Sequence, residues 1–321
     1  MGQPCCSIRN ENAAYMNNIA TPKKSYYNEQ NNGIVNIQCI KTIDGHDNKI
    51  ACLIELSSGK IATGSYDKTI KIWNLDNYEC EKTIKEEGIV FCLLEFEPNI
   101  LLSGTEKNTI QLWNINNYNY DTKLHSFEGH SLWVNNLVKC NSQKFASCSN
   151  DSEIRIWNYN SKECENILKG HTNCILSMTM LKDGRLCSGS ADCTIKIWNL
   201  ETNVCEETLE GHNGIVKCVY GLSNGYIASG SNDKSIIIWN ADCIVTRLEG
   251  HTESVRDICQ INDNLIASSS FDRTIKIWDL NSWKCLNTLQ GHTLNVIGII
   301  YHKSSGHLIS CSNDKTIKVW E

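Results

Sequence analysis

Residues 168–200 read LKGHTNCILSMTMLKDGRLCSGSADCTIKIWNL, and this stretch decides the fold. It opens with the pair Gly170-His171. Asp192 follows 21 residues after the histidine, and Trp198 follows six residues after the aspartate. The run Thr194–Trp198 alternates polar and apolar residues, which is typical of a half-buried strand. The stretch therefore predicts short strands that are joined by turns.

The same arrangement recurs along the chain. Seven tryptophans stand at one point of the repeat, with a spacing near 41 residues: Trp73, Trp113, Trp157, Trp198, Trp239, Trp278 and Trp320. A period of this length indicates a solenoid or a propeller, and four short strands fit within it. The turn-rich pieces between the strands and the absence of helical periodicity favour an all-β architecture.

Six of the seven units carry a histidine, a hydroxyl residue, an aspartate and a tryptophan at matched spacing. The histidine-to-aspartate step is 21 residues in five units and 22 in the last. The six sets are His46, Thr63, Asp67, Trp73; His130, Ser147, Asp151, Trp157; His171, Ser188, Asp192, Trp198; His212, Ser229, Asp233, Trp239; His251, Ser268, Asp272, Trp278; and His292, Ser310, Asp314, Trp320.

This pattern resembles the WD-repeat family over residues 34–321. The resemblance implies a seven-bladed β-propeller, whose four-stranded antiparallel blades surround a central channel. It also implies that the histidine, hydroxyl, aspartate and tryptophan of a blade form one hydrogen-bonded chain. A buried aspartate is tolerated only when its oxygens are paired, which such a chain provides.

The second unit departs from the pattern. Residues 85–88 (Lys-Glu-Glu-Gly) replace the Gly-His pair, and Lys107 stands where the aspartate belongs. We expect this blade to lack its network and to be the loosest of the seven, although Ser103 and Trp113 keep its strands in register.

The order of the pieces predicts how the ring closes. The chain stops at Trp320-Glu321, which is the end of a third strand, so the last blade lacks its outer strand. Residues 36–43 resemble the outer strands of other units and precede the first blade. We expect them to complete the seventh blade and to remove an open sheet edge.

Composition limits the function. The 321 residues are 41% hydrophobic and 21% charged, and the net charge is −6, so nucleic acid is not an expected partner. No run is long and apolar enough to span a bilayer. The eighteen cysteines are interpreted as reduced thiols of a cytoplasmic protein, and the recurring ones as packing residues: Cys39, Cys80, Cys164, Cys205 and Cys285.

The sequence gives no sign of catalysis. It lacks the common spacings of metal ligands, and a Ser, His and Asp set that recurs six times indicates architecture rather than a triad. His125, His302 and His307 lie outside the repeat and are expected on the surface. We therefore expect no enzyme activity, cofactor, metal or small-molecule substrate.

Residues 1–33 are polar and lack periodicity, which predicts a flexible tail. Their start, Met-Gly-Gln-Pro-Cys-Cys-Ser, resembles dual-acylation sequences, which implies myristate on Gly2 and palmitate on Cys5 or Cys6 at the cytoplasmic face of a membrane. Cys6 occupies the position that usually holds Ser or Thr. The alternative interpretation is an ordinary polar start.

The resemblance implies a scaffold or adaptor that binds proteins or peptides. Alternatives are the substrate-recognition subunit of a ubiquitin ligase and a G-protein β-like subunit, although the tail has no heptads for a γ partner. The family pattern places partner-binding residues on the narrow face, at Lys49, Tyr66, Phe91, Trp133, Asn135, Leu176, Ile215, Lys217, Arg256, Phe271, Asn295 and Ile297. Their cations and aromatic rings suit an acidic or phosphorylated peptide with a hydrophobic anchor.

Overall fold

The computed structural model describes residues 37–116, 122–240 and 243–321. Within these ranges the chain forms strands and turns, and it contains no helix. The predicted tail at residues 1–33, with Gly2, Cys5 and Cys6, lies outside the described residues. The propeller predicted from residue 34 is described from residue 37 onward.

The first fourteen strands are β1 (Cys39–Asp44), β2 (Ile50–Glu55), β3 (Ile61–Ser65), β4 (Thr69–Asn74), β5 (Glu79–Lys85), β6 (Val90–Glu97), β7 (Ile100–Thr105), β8 (Ile110–Asn114), β9 (Thr122–Phe127), β10 (Val134–Lys139), β11 (Lys144–Ser149), β12 (Glu153–Asn158), β13 (Cys164–Lys169) and β14 (Ile175–Met180).

The remaining strands are β15 (Leu186–Ser190), β16 (Ile195–Asn199), β17 (Val204–Leu209), β18 (Val216–Gly221), β19 (Ile227–Ser231), β20 (Ile236–Asn240), β21 (Cys243–Leu248), β22 (Val255–Asn262), β23 (Leu265–Ser270), β24 (Ile275–Asp279), β25 (Lys284–Leu289), β26 (Val296–His302), β27 (His307–Ser312) and β28 (Thr316–Trp320).

These strands form seven four-stranded antiparallel sheets, which we call blades 1 to 7. Blade 1 is β2–β5, each following set of four strands is the next blade, and blade 7 is β26–β28 with β1. The first strand of each blade packs against the first strand of the next, and β26 packs against β2. The inner strands therefore close a ring, which confirms the seven-bladed propeller.

Blade 7 joins the two ends of the described chain. Strand β1 pairs with β28 in an antiparallel register that sets Ile43 opposite Ile317. Gln38 and Glu321 exchange two backbone hydrogen bonds of 2.7 and 2.9 Å. The prediction that the segment before blade 1 completes the last blade is confirmed.

Blade 4 shows how each blade is held together inside. The indole N–H of Trp198 donates to Ser188 Oγ at 2.8 Å, and Ser188 Oγ lies 2.8 Å from His171 Nε2. His171 Nδ1 lies 2.7 Å from Asp192 Oδ2. Burial lowers the pKa of His171, so the ring is neutral at pH 7 and donates only from Nδ1.

Asp192 accepts three further hydrogen bonds, from the Thr172 N–H and from the N–H and hydroxyl of Thr194. Burial alone would raise its pKa, but the donors Thr194 and His171 outweigh burial and lower the pKa to about 2. The carboxylate is therefore ionised and fully paired at neutral pH.

Five other blades repeat this chain, with 2.7–2.8 Å between the histidine Nδ1 and the aspartate. Blade 7 has the same hydrogen-bonded network, although one extra residue separates His292 from Asp314. That residue is accommodated in the longer β26–β27 hairpin. A glycine precedes each histidine because the tryptophan ring lies against it. Gly250 has a φ of 153°, and a Cβ there would lie 3.3 Å from the Trp278 ring.

The prediction that blade 2 lacks a network is wrong. Glu86 occupies the histidine position, 17 residues before Ser103, and its Oε1 accepts hydrogen bonds from Ser103 Oγ and from the Trp113 indole at 3.2 Å. The indole also donates to Ser103 Oγ at 2.9 Å. Lys107 is exposed, so the hydrogen-bonded network of blade 2 ends at the buried Glu86 carboxyl.

The interpretation of the recurring cysteines as packing residues holds for two of the five, because Cys164 and Cys205 pack against core clusters. Cys39, Cys80 and Cys285 are exposed on outer strands, and Cys164 and Cys205 are half-buried. Each thiol donates to the backbone carbonyl two residues later, at 3.3–3.4 Å. The register of the outer strand shifts at this position, opposite the tryptophan.

His302 is not the surface residue that its isolated position predicts, because it is only 2% exposed. Its Nε2 lies 2.9 Å from the Gly59 carbonyl in blade 1, and its Nδ1 lies 2.7 Å from Ser305 Oγ. It therefore joins blade 7 to blade 1. His125 and His307 are half-buried.

Asp192→Ala tests the network. It removes the acceptor of four donors, including the buried His171 N–H, and should lower the free energy of unfolding by about 3–5 kcal/mol at pH 7. Because the folded-state pKa is depressed, the loss relative to wild type should shrink as the pH falls from about 4 towards 2. Lys107→Ala is the control and should change little. Equal denaturant melts for the two variants would contradict the assignment.

Glu86→Gln tests the substitute network of blade 2. Burial raises the pKa of Glu86. In wild type the ionised carboxylate therefore lowers the free energy of unfolding, and this loss grows as the pH rises through that pKa. The neutral amide keeps an acceptor for Ser103 and Trp113, and should therefore stabilise the fold at pH 7–8 with a gain that disappears near pH 4. The exposed Glu87→Gln is the control. A gain that is independent of pH would argue against this explanation.

Candidate functional site

The backbone at one end of the ring repeats a contact that brings side chains to the channel. The residue before each network aspartate donates its N–H to the carbonyl of the residue before the inner strand. In blade 1 the Tyr66 N–H donates to the Lys49 carbonyl at 2.9 Å, and in blade 7 Asn313 does so to Asn295 at 2.9 Å. The networks thus fix the turns that surround the channel mouth.

A cavity of about 170 Å³ lies at this channel mouth. Eight of the residues predicted for partner binding line it: Lys49, Tyr66, Phe91, Asn135, Leu176, Arg256, Phe271 and Ile297. The prediction missed Ile50, Ala51 and Asn313, which also line it. The repeat itself could have identified two of them, because Ala51 aligns with Phe91 and Asn313 aligns with Tyr66.

Four predicted residues do not line the cavity. The carbonyls of Ile215 and Asn295 accept N–H groups of the following turns. Trp133 stacks on Phe91, a lining residue, with ring centroids 5.2 Å apart. Lys217 is the second residue of β18, which packs against β22, where Arg256 has the same position.

Three aromatic rings from successive blades form an aromatic stripe, which we define as Tyr66, Phe91 and Trp133. Tyr66 meets Phe91 edge-on at 5.8 Å, and Phe91 stacks on Trp133. Lys49 Nζ lies 5.9 Å from the Tyr66 ring centroid. Tyr66 is 37% exposed and Trp133 46% exposed, so the stripe presents large apolar surface to solvent.

Asn135 has a structural role within this face. Its side-chain amide donates to Asn150 Oδ1 at 2.8 Å and to the Ile175 carbonyl of blade 4 at 2.7 Å. Both donors are therefore engaged in holding blade 3 against blade 4, and only its remaining surface faces the cavity.

Several cations lie at this end of the ring. Lys49, Lys217 and Arg256 surround the channel, and Lys107 is exposed nearby. Four exposed cations follow network aspartates in left-handed turns, with φ of 64–71°: Lys68, Lys234, Arg273 and Lys315. Burial, and then the charge of Arg256, lower the pKa of Lys217. The exposed cations share this face with the network aspartates, and Lys234 Nζ lies 3.5 Å from Glu253 Oε1.

In the described part of the chain, no group of three or more His, Cys, Asp or Glu side chains is arranged to hold a metal ion. The same residues include no helix with the length and apolar character that a membrane span needs.

A scan of family models matches this chain to "WD domain, G-beta repeat" (WD40) at residues 37–74, 121–158, 162–199, 203–240, 242–279 and 283–321. Residues 75–120, which hold most of blade 2, fall outside these matches. Blade 2 is the blade in which Glu86 and Lys107 replace the histidine and the aspartate.

Among curated proteins, the chain is similar to the "Probable E3 ubiquitin ligase complex SCF subunit scon-2" of Neurospora crassa. The two are 47% identical over 45 residues, which is 14% of this chain and 7% of that protein. The matched length is about one repeat. Because the family model covers more than half of the sequence and the structure has seven blades, this chain belongs to the WD40 repeat family.

Proposed function

We propose that this protein is a non-catalytic scaffold or adaptor, which binds segments of other proteins at the channel mouth. WD40 propellers are typically protein-interaction scaffolds and bind other proteins. The observation that carries the proposal for this chain is the aromatic stripe. Exposed rings have no core to fill there, and buried aromatic anchors supply much of the energy of protein interfaces.

The partner segment that fits this face is acidic or phosphorylated and carries a hydrophobic anchor. The aromatic stripe on blades 1 to 3 offers a place for the anchor. The cations Lys49, Lys217 and Arg256 offer complementary charge to the rest of the segment, and such complementarity favours association and specificity.

The second candidate function is substrate recognition for a ubiquitin ligase. Its support is the local likeness to the scon-2 ligase subunit, which extends over about one repeat. This chain matches 7% of that protein, so the role is carried here as a proposal only. Ligase subunits among the proteins that co-purify with the full chain would favour it over the general scaffold.

We further propose a membrane tether at Gly2 with Cys5 or Cys6, on the strength of the resemblance of the N-terminus to dual-acylation sequences. One myristoyl chain binds membranes only marginally, so stable attachment requires a second signal, which a palmitoylated cysteine would supply. A tethered propeller would hold its partners at the cytoplasmic face of a membrane.

Trp133→Ala tests the binding face. Loss of an aromatic anchor should reduce recovery of bound partners from lysate by about tenfold or more, because such anchors contribute about 2 kcal/mol or more. The melting temperature should hardly change, since the indole is half exposed. Val204→Ala is the control, because Val204 is 54% exposed on the outer strand of blade 4. If both variants keep every partner, binding takes place elsewhere on the molecule.

Gly2→Ala tests the tether, because it removes the only acceptor of N-terminal myristate. We expect the variant to move from the membrane pellet to the supernatant in cell fractionation, and replacement of Cys5 and Cys6 by serine to do the same. Ser7→Ala is the control and should stay in the pellet. A wild-type protein that is already entirely in the supernatant would refute the tether.

A further inference from the structure

Most blades place a cation from one of their own strands beside the network. The third strand of five blades carries a lysine or an arginine directly opposite the hydroxyl residue of the network: Lys71, Arg155, Lys196, Lys276 and Lys318. The cation and the hydroxyl lie on one face of the sheet, because side chains of directly opposite residues share a face. In blade 1 the Lys71 ammonium donates to the Gly45 carbonyl, beside the network residue His46.

Blade 5 supplies this cation from its outer strand instead. The position opposite the hydroxyl is Ile237, and Arg247 stands opposite Ile237 on β21. The Arg247 guanidinium donates to Ser235 Oγ at 2.7 Å and to the Gly211 carbonyl at 2.6 Å. It also donates to Asp233 Oδ2 at 3.3 Å. Blade 5 therefore shows how a guanidinium that enters from the outer strand is held beside the network.

Both of these positions are neutral in blade 2. Gln111 stands opposite the hydroxyl residue Ser103, and Ser126 stands opposite Gln111 on β9, at the position of Arg247. The blade nevertheless buries an acid at this place, because Glu86 is only 9% exposed. Blade 2 thus combines a buried carboxyl with neutral residues at the two positions from which the other blades supply a cation.

Gln111 contributes a buried acceptor to the same place. The residue is 4% exposed, and its side-chain Oε1 is buried without a hydrogen-bond partner among the described residues. Its Nε2 donates to Thr109 Oγ1 at 3.0 Å, and Thr109 aligns with Ser235 of blade 5. We call Glu86, Thr109 and Gln111 the blade 2 corner. It presents a carboxyl, a hydroxyl and an amide oxygen, which are the three kinds of acceptor that hold Arg247.

Lys123 of β9 leaves this corner open. Its ammonium lies 3.5 Å from Glu87 Oε1, and both of these side chains are exposed to solvent. Burial raises the pKa of Glu86, and the charge of Lys123 opposes that rise less than the hydrogen bonds to the carboxyl do. An exposed ion pair contributes little to stability, so the pair of Glu87 and Lys123 can part for an entering side chain.

A guanidinium suits these acceptors better than an ammonium does. It is planar, keeps its charge, and directs five N–H donors outward, so one group can bind a carboxylate and a neighbouring amide oxygen together. It is also more weakly hydrated than an ammonium, which lowers the cost of entering a partly buried place. Glu87, exposed and next to Glu86, adds a second carboxylate at the rim.

We propose that the blade 2 corner binds an arginine side chain of a partner protein, whose guanidinium takes the place that Arg247 takes in blade 5. The partner supplies the cation that the other six blades carry on their own strands. This inference rests on the proposed function only because it takes the ligand to be a protein. The contact is made by residues outside the aromatic stripe, and it gives the departure of blade 2 from the repeat a role in binding.

The test uses the full chain with Nα-acetyl-arginine amide as the probe, at pH 8 and constant ionic strength in sodium chloride. The Trp113 indole N–H donates to Glu86 Oε1 at 3.2 Å, so its nuclear magnetic resonance signal reports on this corner, and Trp113→Phe assigns it. We expect a saturable shift of that signal. The amide of acetyl-citrulline has a similar shape without the charge and should bind about tenfold or more weakly.

Ser126→Arg fills the corner from within, because it repeats the arrangement of Arg247. Half-saturation should then require about tenfold more probe, or the shift should disappear, while the melting temperature stays the same or rises. Thr83→Arg is the matched control. Thr83 holds the same ladder position in blade 1, where Lys71 already supplies the cation, so probe binding to this variant should equal that of wild type.

Three results would overturn the site: no saturable shift in wild type, an equal response to the citrulline amide, or unchanged probe binding to Ser126→Arg. A response that potassium chloride reproduces at the same concentration would show an ion site only and would equally reject the arginine assignment. The titration needs no partner protein, whereas the scaffold is tested by capture of partners through Trp133. Failure of the corner and failure of the scaffold are therefore distinguishable.

Discussion

Six of the seven blades depend on a short hydrogen-bonded network that runs from a buried tryptophan through a hydroxyl and a histidine to an aspartate. The network matters because every member is both buried and paired. A histidine without its aspartate would leave a buried N–H unsatisfied, and an aspartate without its donors would carry a buried charge at a large cost. The same aspartate accepts backbone N–H groups from two loops, as Asp192 does from Thr172 and Thr194. The network therefore fixes the loops that form the channel mouth.

Blade 2 shows which part of this constraint is essential. Glu86 replaces the histidine and still accepts from Ser103 and Trp113, while the aspartate position passes to the exposed Lys107. Blade 2 therefore retains the buried end of the hydrogen-bonded network and loses only the end at the surface. Phe91, the central ring of the aromatic stripe, belongs to this same blade. The blade with the most altered loop network thus supplies the middle of the exposed apolar surface, which is consistent with sequence freedom being greatest where the loops face a partner.

The sequence was sufficient for the fold because the repeat is redundant: six copies of one spacing predict the strands, the networks and the pairing of β1 with β28. It was less informative where one residue replaced another of different chemistry. The spacing of 17 residues between Glu86 and Ser103 equals that between His171 and Ser188, and this signal could have revealed the substitute network. For His302 and the recurring cysteines no such signal exists. Burial of His302 depends on a contact with Gly59, some 240 residues away, and the same repeat position is exposed at Cys39, Cys80 and Cys285 but half-buried at Cys164 and Cys205.

Charged residues with a structural role in this molecule differ in their hydrogen bonding from the cations at the channel mouth. The network aspartates and Arg185 or Arg247 are held by several partners each, so their charges are accounted for by the fold. Among the described residues, Lys217 and Arg256 have no such partners. The carboxylate oxygens of Asp257, the residue after Arg256, accept hydrogen bonds from backbone N–H groups. Unpaired charge of this kind is the feature that functional sites retain at the expense of stability, and it lies beside the same cavity as the aromatic stripe.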